Sequence, residues 1–171
     1  QEEEKEIGEM ILDLAINDNL DTEFQLQNVI NADKQAVARI VSHPLCHFGA
    51  SDAGAHITQF YGTGDTSHLR EHYVRETKTF TLEEAIHKMT GELAADWGLA
   101  DQGTLEEAKA ADITIFDPDN VAAGKEELVD DLSGEARRYI RKSKGYKVVV
   151  VNGEVAYQDG RYTDNLSEKV V

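Results

Sequence analysis

With 171 residues the chain is long enough for one hydrophobic core, or for one core and a small satellite. Its formal net charge of −16 argues against nucleic acid and against membrane surfaces as partners, because both are anionic. A single cysteine excludes an internal disulfide and fits a reducing cytoplasm, and no apolar run reaches the length of a membrane span. Because the chain opens on Gln1 without an initiator Met, we interpret it as processed or as part of a longer protein.

The first half of the sequence predicts helices leading into a buried strand. Apolar residues at helical spacing predict an amphipathic helix over about 3–16, and Asn31-Ala32-Asp33 offers an N-cap for a second helix through Val41 that ends at His43-Pro44. The apolar run at 45–50 is typical of a strand buried on both faces. Helices and strands that alternate in this way indicate parallel βα units.

Three further helices are predicted before residue 98. Thr66 or Ser67 can cap the first, Thr81 and Glu84 form a capping-box pattern for the second, and the third runs from Thr90 to Gly98. Four large side chains are predicted to lie in the core: Met10, Tyr73, Met89 and Trp97.

The last third of the sequence changes to strands. A short strand is predicted at 113–116, and a valine-rich strand at 147–151 turns at Asn152-Gly153 into a second strand. The charged stretch at 125–145 is predicted to be an excursion with one short helix.

Ser51 and Asp52 follow the predicted strand at 45–50 and lie between Gly49 and Gly54. Glycines allow a tight bend, so the Asp52 carboxylate would be presented at the carboxyl end of a strand, where α/β barrels carry their chemistry. The alternative is an Asp that caps the next turn or helix.

Several short motifs, taken in order, resemble the C-terminal third of N-acyl-D-amino-acid deacylase (D-aminoacylase)-type amidohydrolases. The resemblance covers roughly residues 8–165, and its motifs lie at 49–56 (G-A-S-D-A-G-A-H), 74–76, 81–85, 98–103, 111–118 and 151–155. It implies an α/β fold, with residues 1–98 forming the C-terminal portion of a (β/α)₈ barrel. Residues 99–171 would belong to a small β-sandwich, with a charged insertion at about 122–146.

The resemblance also implies a site. Asp52 would contact the metal, take the proton from a metal-bound water and pass it to the leaving nitrogen of the amide, while Ser51, His56 and Arg75 would contact the substrate. A metal lowers the pKa of bound water enough for this chemistry near neutral pH. Zinc or another divalent metal is implied for the full-length enzyme, but the family's other ligands have no match in this sequence. This chain alone is therefore expected to bind zinc weakly or not at all, and to be inactive.

Two alternatives remain open. The H-x-x-E-H motif of zinc peptidases is matched by His68, Glu71 and His72. The family resemblance, however, already accounts for the helix that carries them, as the helix after the last barrel strand. The second alternative is a non-catalytic acidic interaction module. For the deacylase interpretation we expect a small-molecule amide substrate, a cytoplasmic location and self-association through exposed strands.

Overall fold

The computed structural model describes residues 6–24, 30–49, 51, 53–54, 63–134 and 136–165. Contacts divide the chain into two units, Gln1–Val37 and Ala38–Val171. No helix of the described residues is both long and apolar enough to cross a membrane.

The first two helices agree with the sequence pattern. Helix α1 spans Ile7–Asn17 and α2 spans Lys34–Val41. The Asp33 carboxylate accepts hydrogen bonds from the backbone N–H groups of Gln35 (3.0 Å) and Ala36 (2.9 Å), which confirms it as the cap of α2.

Among the described residues, four helical segments follow within the second unit. A short helix α3 (Asp65–His68) continues as a π-helix (Leu69–Glu76), and α4 (Leu82–Met89) is followed by α5 (Gly91–Trp97). The predicted caps Thr66 and Ser67 are wrong, because the residue that precedes α3 is Gly64, at φ +90°, and both predicted caps lie inside the helix. The capping box of Thr81 and Glu84 is confirmed, as is the end of α5 at Gly98, whose φ of +71° suits a glycine.

The described strands of the C-terminal part include an antiparallel sheet in the order β1-β4-β5-β6. Its strands are β1 (Ile113–Phe116), β4 (Tyr146–Val151), β5 (Glu154–Gln158) and β6 (Arg161–Tyr162). The predicted turn between β4 and β5 is confirmed: Asn152 and Gly153 both have positive φ, at +48° and +83°, as a two-residue I′ turn requires.

The charged excursion is a β-hairpin and not a loop with a short helix, so that prediction is wrong. Strands β2 (Glu126–Leu132) and β3 (Ala136–Arg141) pair antiparallel. Four ion pairs connect acidic residues before the turn with basic residues after it: Glu126–Arg141, Glu127–Lys142, Asp130–Arg137 and Asp131–Arg138. Cross-strand pairs of opposite charge stabilise antiparallel strand pairing. This stabilisation outweighs the weak helical spacing of the apolar residues in the same stretch.

The strand predicted at 45–50 does not form over residues 45–49, where the chain makes a turn and then runs without a strand partner. Leu45 is 82% exposed. A parallel strand needs hydrogen-bonded neighbours, and every strand pair among the described residues is antiparallel. The barrel and the sandwich therefore remain proposals, together with the predicted boundary at 98.

The buried apolar residues of the second unit come from both sides of that boundary. They are Leu69, Tyr73, Phe80, Ala85, Ala94 and Val121. Tyr73 is thus a core residue, as predicted, and Met89 is half-buried. The prediction is wrong for Trp97 (79% exposed) and Met10 (51% exposed), because Ala94 provides the buried side of α5 and no described residue of α1 is buried.

Candidate functional site

The predicted catalytic stretch is described only at Ser51, Ala53 and Gly54. Ser51 is exposed, and its hydroxyl accepts a hydrogen bond of 3.3 Å from the backbone N–H of Ala53, while Gly54 has φ +88°. The chain therefore turns where the sequence predicts a glycine-permissive bend. Asp52 and His56 lie outside the described residues, so their positions remain predictions.

The residues that lead into this turn are held by the helices α4 and α5. The Nζ of Lys88 donates to the carbonyl oxygen of Cys46 at 3.0 Å and to Glu92 Oε1 at 3.1 Å. His47 Nδ1 lies 2.9 Å from the same Glu92 oxygen and 3.0 Å from Asp96 Oδ2. Residues of two consecutive helices thus contact two consecutive residues of the 46–48 segment.

Apolar contacts continue this arrangement at Phe48. Its ring meets the buried ring of Phe80 edge to face, with centroids 6.4 Å apart. Lys88 Nζ lies 5.9 Å from the centroid of the Phe48 ring, within the range of a cation–π contact. Cys46 is therefore fixed through its backbone, His47 through polar contacts and Phe48 through aromatic contacts.

The charge pattern around Glu92 favours its ionised form. Desolvation alone would raise the pKa of the Glu92 carboxyl, but the hydrogen bond and positive charge of Lys88, together with the contact to His47, outweigh it and lower that pKa. Glu92 is thus a stable anion between Lys88 and His47 at neutral pH.

Arg75, predicted to contact substrate, contacts the loop after β1. Its Nη1 donates to the carbonyl oxygens of Val121 (2.6 Å) and Pro118 (3.3 Å). Its Nη2 lies 3.8 Å from Glu71 Oε1, and Glu71 in turn accepts a hydrogen bond of 3.0 Å from the backbone of Ala123. These contacts join the π-helix to the loop before β2.

The H-x-x-E-H motif lies at the junction of α3 and the π-helix. The rings of His68 and His72 stack nearly parallel, with centroids 5.2 Å apart. Glu71 faces Ala123, and His72 Nδ1 lies 2.8 Å from Glu76 Oε2. Among the described residues no group of three His, Cys, Asp or Glu side chains is placed to hold a metal ion.

Sequence reasoning missed Lys88 and Glu92. A signal for Lys88 was present: it lies three residues after Ala85, on the apolar side of α4, where a lysine is out of place. Its role could not be derived, because its acceptor, the carbonyl oxygen of Cys46, is 42 residues away in sequence.

Comparison with known proteins identifies the family. The model of the amidohydrolase family matches residues 9–157, which is most of the chain. The chain belongs to the amidohydrolase family. The matched residues of this amidohydrolase chain include the turn at 51–54 and the helices that hold the segment before it, and the resemblance seen in the sequence is thereby confirmed.

Curated relatives match this amidohydrolase chain over part of their length. The N-acyl-D-aspartate deacylase of Alcaligenes xylosoxydans xylosoxydans is 37% identical over 135 residues, which cover 77% of this chain and 24% of the relative. The D-aminoacylase of the same organism is 35% identical over 100 residues, which cover 58% of this chain and 19% of that relative. A dihydroorotase of Lactobacillus acidophilus is 36% identical over 95 residues, which cover 55% of this chain and 22% of that relative. The amidohydrolase chain spans about a quarter of the length of these relatives or less.

A solved structure is also similar to this amidohydrolase chain. The crystal structure of a D-aminoacylase aligns with 58% of the chain and with 19% of its own, at 31% identity and a TM-score of 0.44.

Proposed function

We propose that this chain is the C-terminal part of a metal-dependent amidohydrolase that cleaves the amide bond of N-acyl amino acids, or of a related small amide, with water. The family match over residues 9–157 is the observation that carries the proposal. In the complete enzyme, residues 1–98 would complete a (β/α)₈ barrel and residues 99–171 would join a β-sandwich. The Glu126–Arg141 hairpin then lies within the charged insertion at about 122–146.

The relatives favour N-acyl-D-amino acids as the substrate class. Three of them are named as deacylases of this kind: an N-acyl-D-aspartate deacylase, an N-acyl-D-glutamate deacylase and a D-aminoacylase. These share 35–38% identity with the present chain over the aligned residues. A substrate with a free carboxylate next to the scissile amide is therefore the first to test.

Asp52 is the residue to which the proposal assigns the proton transfers. A carboxylate in hydrogen-bond reach of the attacking water accepts its proton as the C–O bond forms, and returns that proton to the amide nitrogen as the C–N bond breaks. The products are a carboxylic acid and an amine. Ser51, directly before Asp52, and His56, four residues after it, are proposed to contact the substrate. The contacts of Arg75 with Val121 and Pro118 favour a docking role over its predicted substrate contact.

Zinc or another divalent ion belongs to the proposal for the complete enzyme, with Asp52 as one contact. A catalytic zinc site takes about three protein ligands. The described residues do not fit such an ion, because no three of their His, Cys, Asp or Glu side chains converge. The remaining ligands are thus assigned to other parts of the enzyme, and this chain alone is proposed to be inactive.

The test is the Asp52→Asn variant of the complete enzyme, assayed with N-acetyl-D-aspartate and with its L enantiomer. An amide cannot accept the proton, so kcat should fall by at least the ~10²–10⁴-fold that general acid–base catalysis contributes. Asp164→Asn, a change at an exposed carboxylate, is the matched control and should leave kcat unchanged. Unchanged turnover of folded Asp52→Asn would remove the proposed role. If the complete enzyme hydrolysed neither enantiomer, the proposed substrate class would be wrong.

A further inference from the structure

We propose that Lys88 is a positioning residue: together with Glu92 it holds the segment 46–48 against α4 and α5, and so fixes the point from which the chain runs on to Asp52. The inference rests on the proposed function, in which Asp52 transfers the proton. Neither Lys88 nor Glu92 needs to touch the substrate for this role.

The burial of Lys88 is the first observation. Its side chain is 9% exposed, and lysine is rarely buried to this degree unless its ammonium group is paired. The ammonium group donates to the Cys46 carbonyl oxygen at 3.0 Å and to Glu92 at 3.1 Å. A buried charge that has lost one of these partners is strongly disfavoured, so Lys88 keeps the Cys46 backbone in place.

The continuity of the contacts is the second observation. Cys46 is held through its backbone, His47 by Glu92 and Asp96, and Phe48 by the ring of Phe80. Glu92 Oε1 serves Lys88 and His47 at once, so the contacts at Cys46 and His47 depend on one carboxylate oxygen. Three consecutive residues are thereby fixed to the end of α4, to both ends of α5 and to Phe80, two residues before α4 begins.

The fixed segment 46–48 lies only a few residues before the proposed catalytic group in sequence. Asp52 follows Phe48 by four residues, and four residues reach at most about 14 Å. With Phe48 fixed, the stretch that leads to Asp52 starts from a defined point. Because a 1 Å misplacement of a reacting group can cost about 10²-fold in rate, release of this segment should lower kcat.

The first experiment measures the position of the segment in this 171-residue chain, without any assay of activity. Cys46, the one cysteine of the sequence, is half-buried and lies at the contact, so its reaction with a thiol reagent reports release of the segment. Lys88→Met, which keeps the length of the side chain and removes its donors, should raise the rate of modification about ten-fold or more. Lys88→Arg, which retains donors and charge, should restore much of the protection.

Two further variants make this experiment decisive. Lys109→Met removes a comparable lysine, which donates to Thr104 at 2.6 Å far from Cys46 in sequence, and should leave the modification rate unchanged. Glu92→Gln keeps the size of the side chain but removes the negative charge shared by Lys88 and His47. Its modification rate should lie between that of the unmodified sequence and that of Lys88→Met. If Lys88→Met does not fold, a raised rate for Glu92→Gln still tests the inference. Circular dichroism identifies variants that have unfolded. A rate for folded Lys88→Met and Glu92→Gln equal to that of the unmodified sequence would overturn the inference.

The second experiment measures kcat and KM of the same variants in the complete enzyme. Lys88→Met should lower kcat by about 10- to 100-fold with KM within two-fold, and Lys88→Arg should recover most of the loss. If Asp52→Asn abolishes turnover while Lys88→Met leaves kcat unchanged, the positioning role is wrong and the proposed function stands. If Asp52→Asn retains full turnover, the proposed function fails, whereas the rate of Cys46 modification still decides whether Lys88 holds the segment.

Discussion

At the scale of single residues, the backbones of Val121 and Gly145 approach each other closely. Val121 is 1% exposed, and its carbonyl oxygen accepts the 2.6 Å hydrogen bond from Arg75. Gly145 has φ +81°, and a Cβ atom there would lie 2.5 Å from the N and Cα atoms of Val121. Glycine is required here both by the dihedral angle and by the space.

Gly145→Ala is therefore expected to destabilise the chain more than the same change at another positive-φ glycine. Gly160→Ala is the control: its φ is +89°, but no atom lies within 4 Å of the added methyl group. The control should lose about 1–2 kcal/mol of unfolding free energy from the left-handed conformation alone. Gly145→Ala should lose a further 1–3 kcal/mol or so from overpacking. Urea unfolding measures both, and equal losses would contradict the close approach.

At the scale of secondary-structure elements, a buried polar cluster docks the π-helix on the sheet. Arg70 Nη1 donates to the hydroxyl of Tyr146 at 2.8 Å, and Ser67 Oγ lies 2.9 Å from the same hydroxyl. The Arg70 guanidinium also lies 4.8 Å from the centroid of the Phe116 ring. Burial lowers the pKa of Arg70, and the contact with Tyr146 opposes this shift. The Tyr146 hydroxyl and the carbonyl oxygen of Thr66, 3.2 Å from Arg70 Nη1, are thus acceptors that make burial of this cation tolerable.

Tyr146→Phe should consequently cost about 1–3 kcal/mol of unfolding free energy, because it removes one hydrogen-bond partner from each of the buried side chains Arg70 and Ser67. The penalty should lie toward the upper end, because Arg70 Nε already has no hydrogen-bond partner within the described residues. Tyr162→Phe, at a tyrosine that is 88% exposed, should change the unfolding free energy by less than about 0.5 kcal/mol. If the two variants unfolded at the same urea concentration, the cluster would contribute nothing to docking.

Elements whose signals are local could be predicted from the sequence. The Thr81–Glu84 capping box and the Asn152-Gly153 turn each depend on two residues and their own backbone, and both are present. The exposure of Trp97 could not be read from helical spacing, because burial depends on what packs against α5. Asp52, the centre of the predicted site, lies outside the described residues, so its role rests on the sequence and the family match.

The Glu126–Arg141 hairpin had a signal that spacing alone did not reveal. Acidic pairs at 126–127 and 130–131 are mirrored by basic pairs at 137–138 and 141–142, with Ser133-Gly134 between them. Such a mirror of opposite charges predicts antiparallel pairing. The π-helix had no comparable signal, since its sequence suits an α-helix equally well and only the i→i+5 bonds distinguish the two.

At the scale of the whole molecule, the net charge of −16 opposes association while the open edge of the sheet favours it. Strand β1 is an edge strand of the described sheet, and Ile115 on it is 51% exposed. An exposed apolar edge presents unpaired backbone groups to another strand. The repulsion reaches only about a Debye length, ~8 Å at physiological salt, whereas strand pairing acts at contact.

The chain is therefore expected to self-associate as its concentration rises, and more strongly at high salt, where charge repulsion is screened. Light scattering from low micromolar to millimolar protein at two salt concentrations measures this directly. Ile115→Lys places a charge on the edge and should shift association to higher concentration. Leu105→Lys, the same increment of charge at a residue that is 76% exposed and outside the strands, should have a much smaller effect. A monomer over the whole range, with identical behaviour of all three proteins, would show that edge pairing does not outweigh the repulsion of the acidic surface.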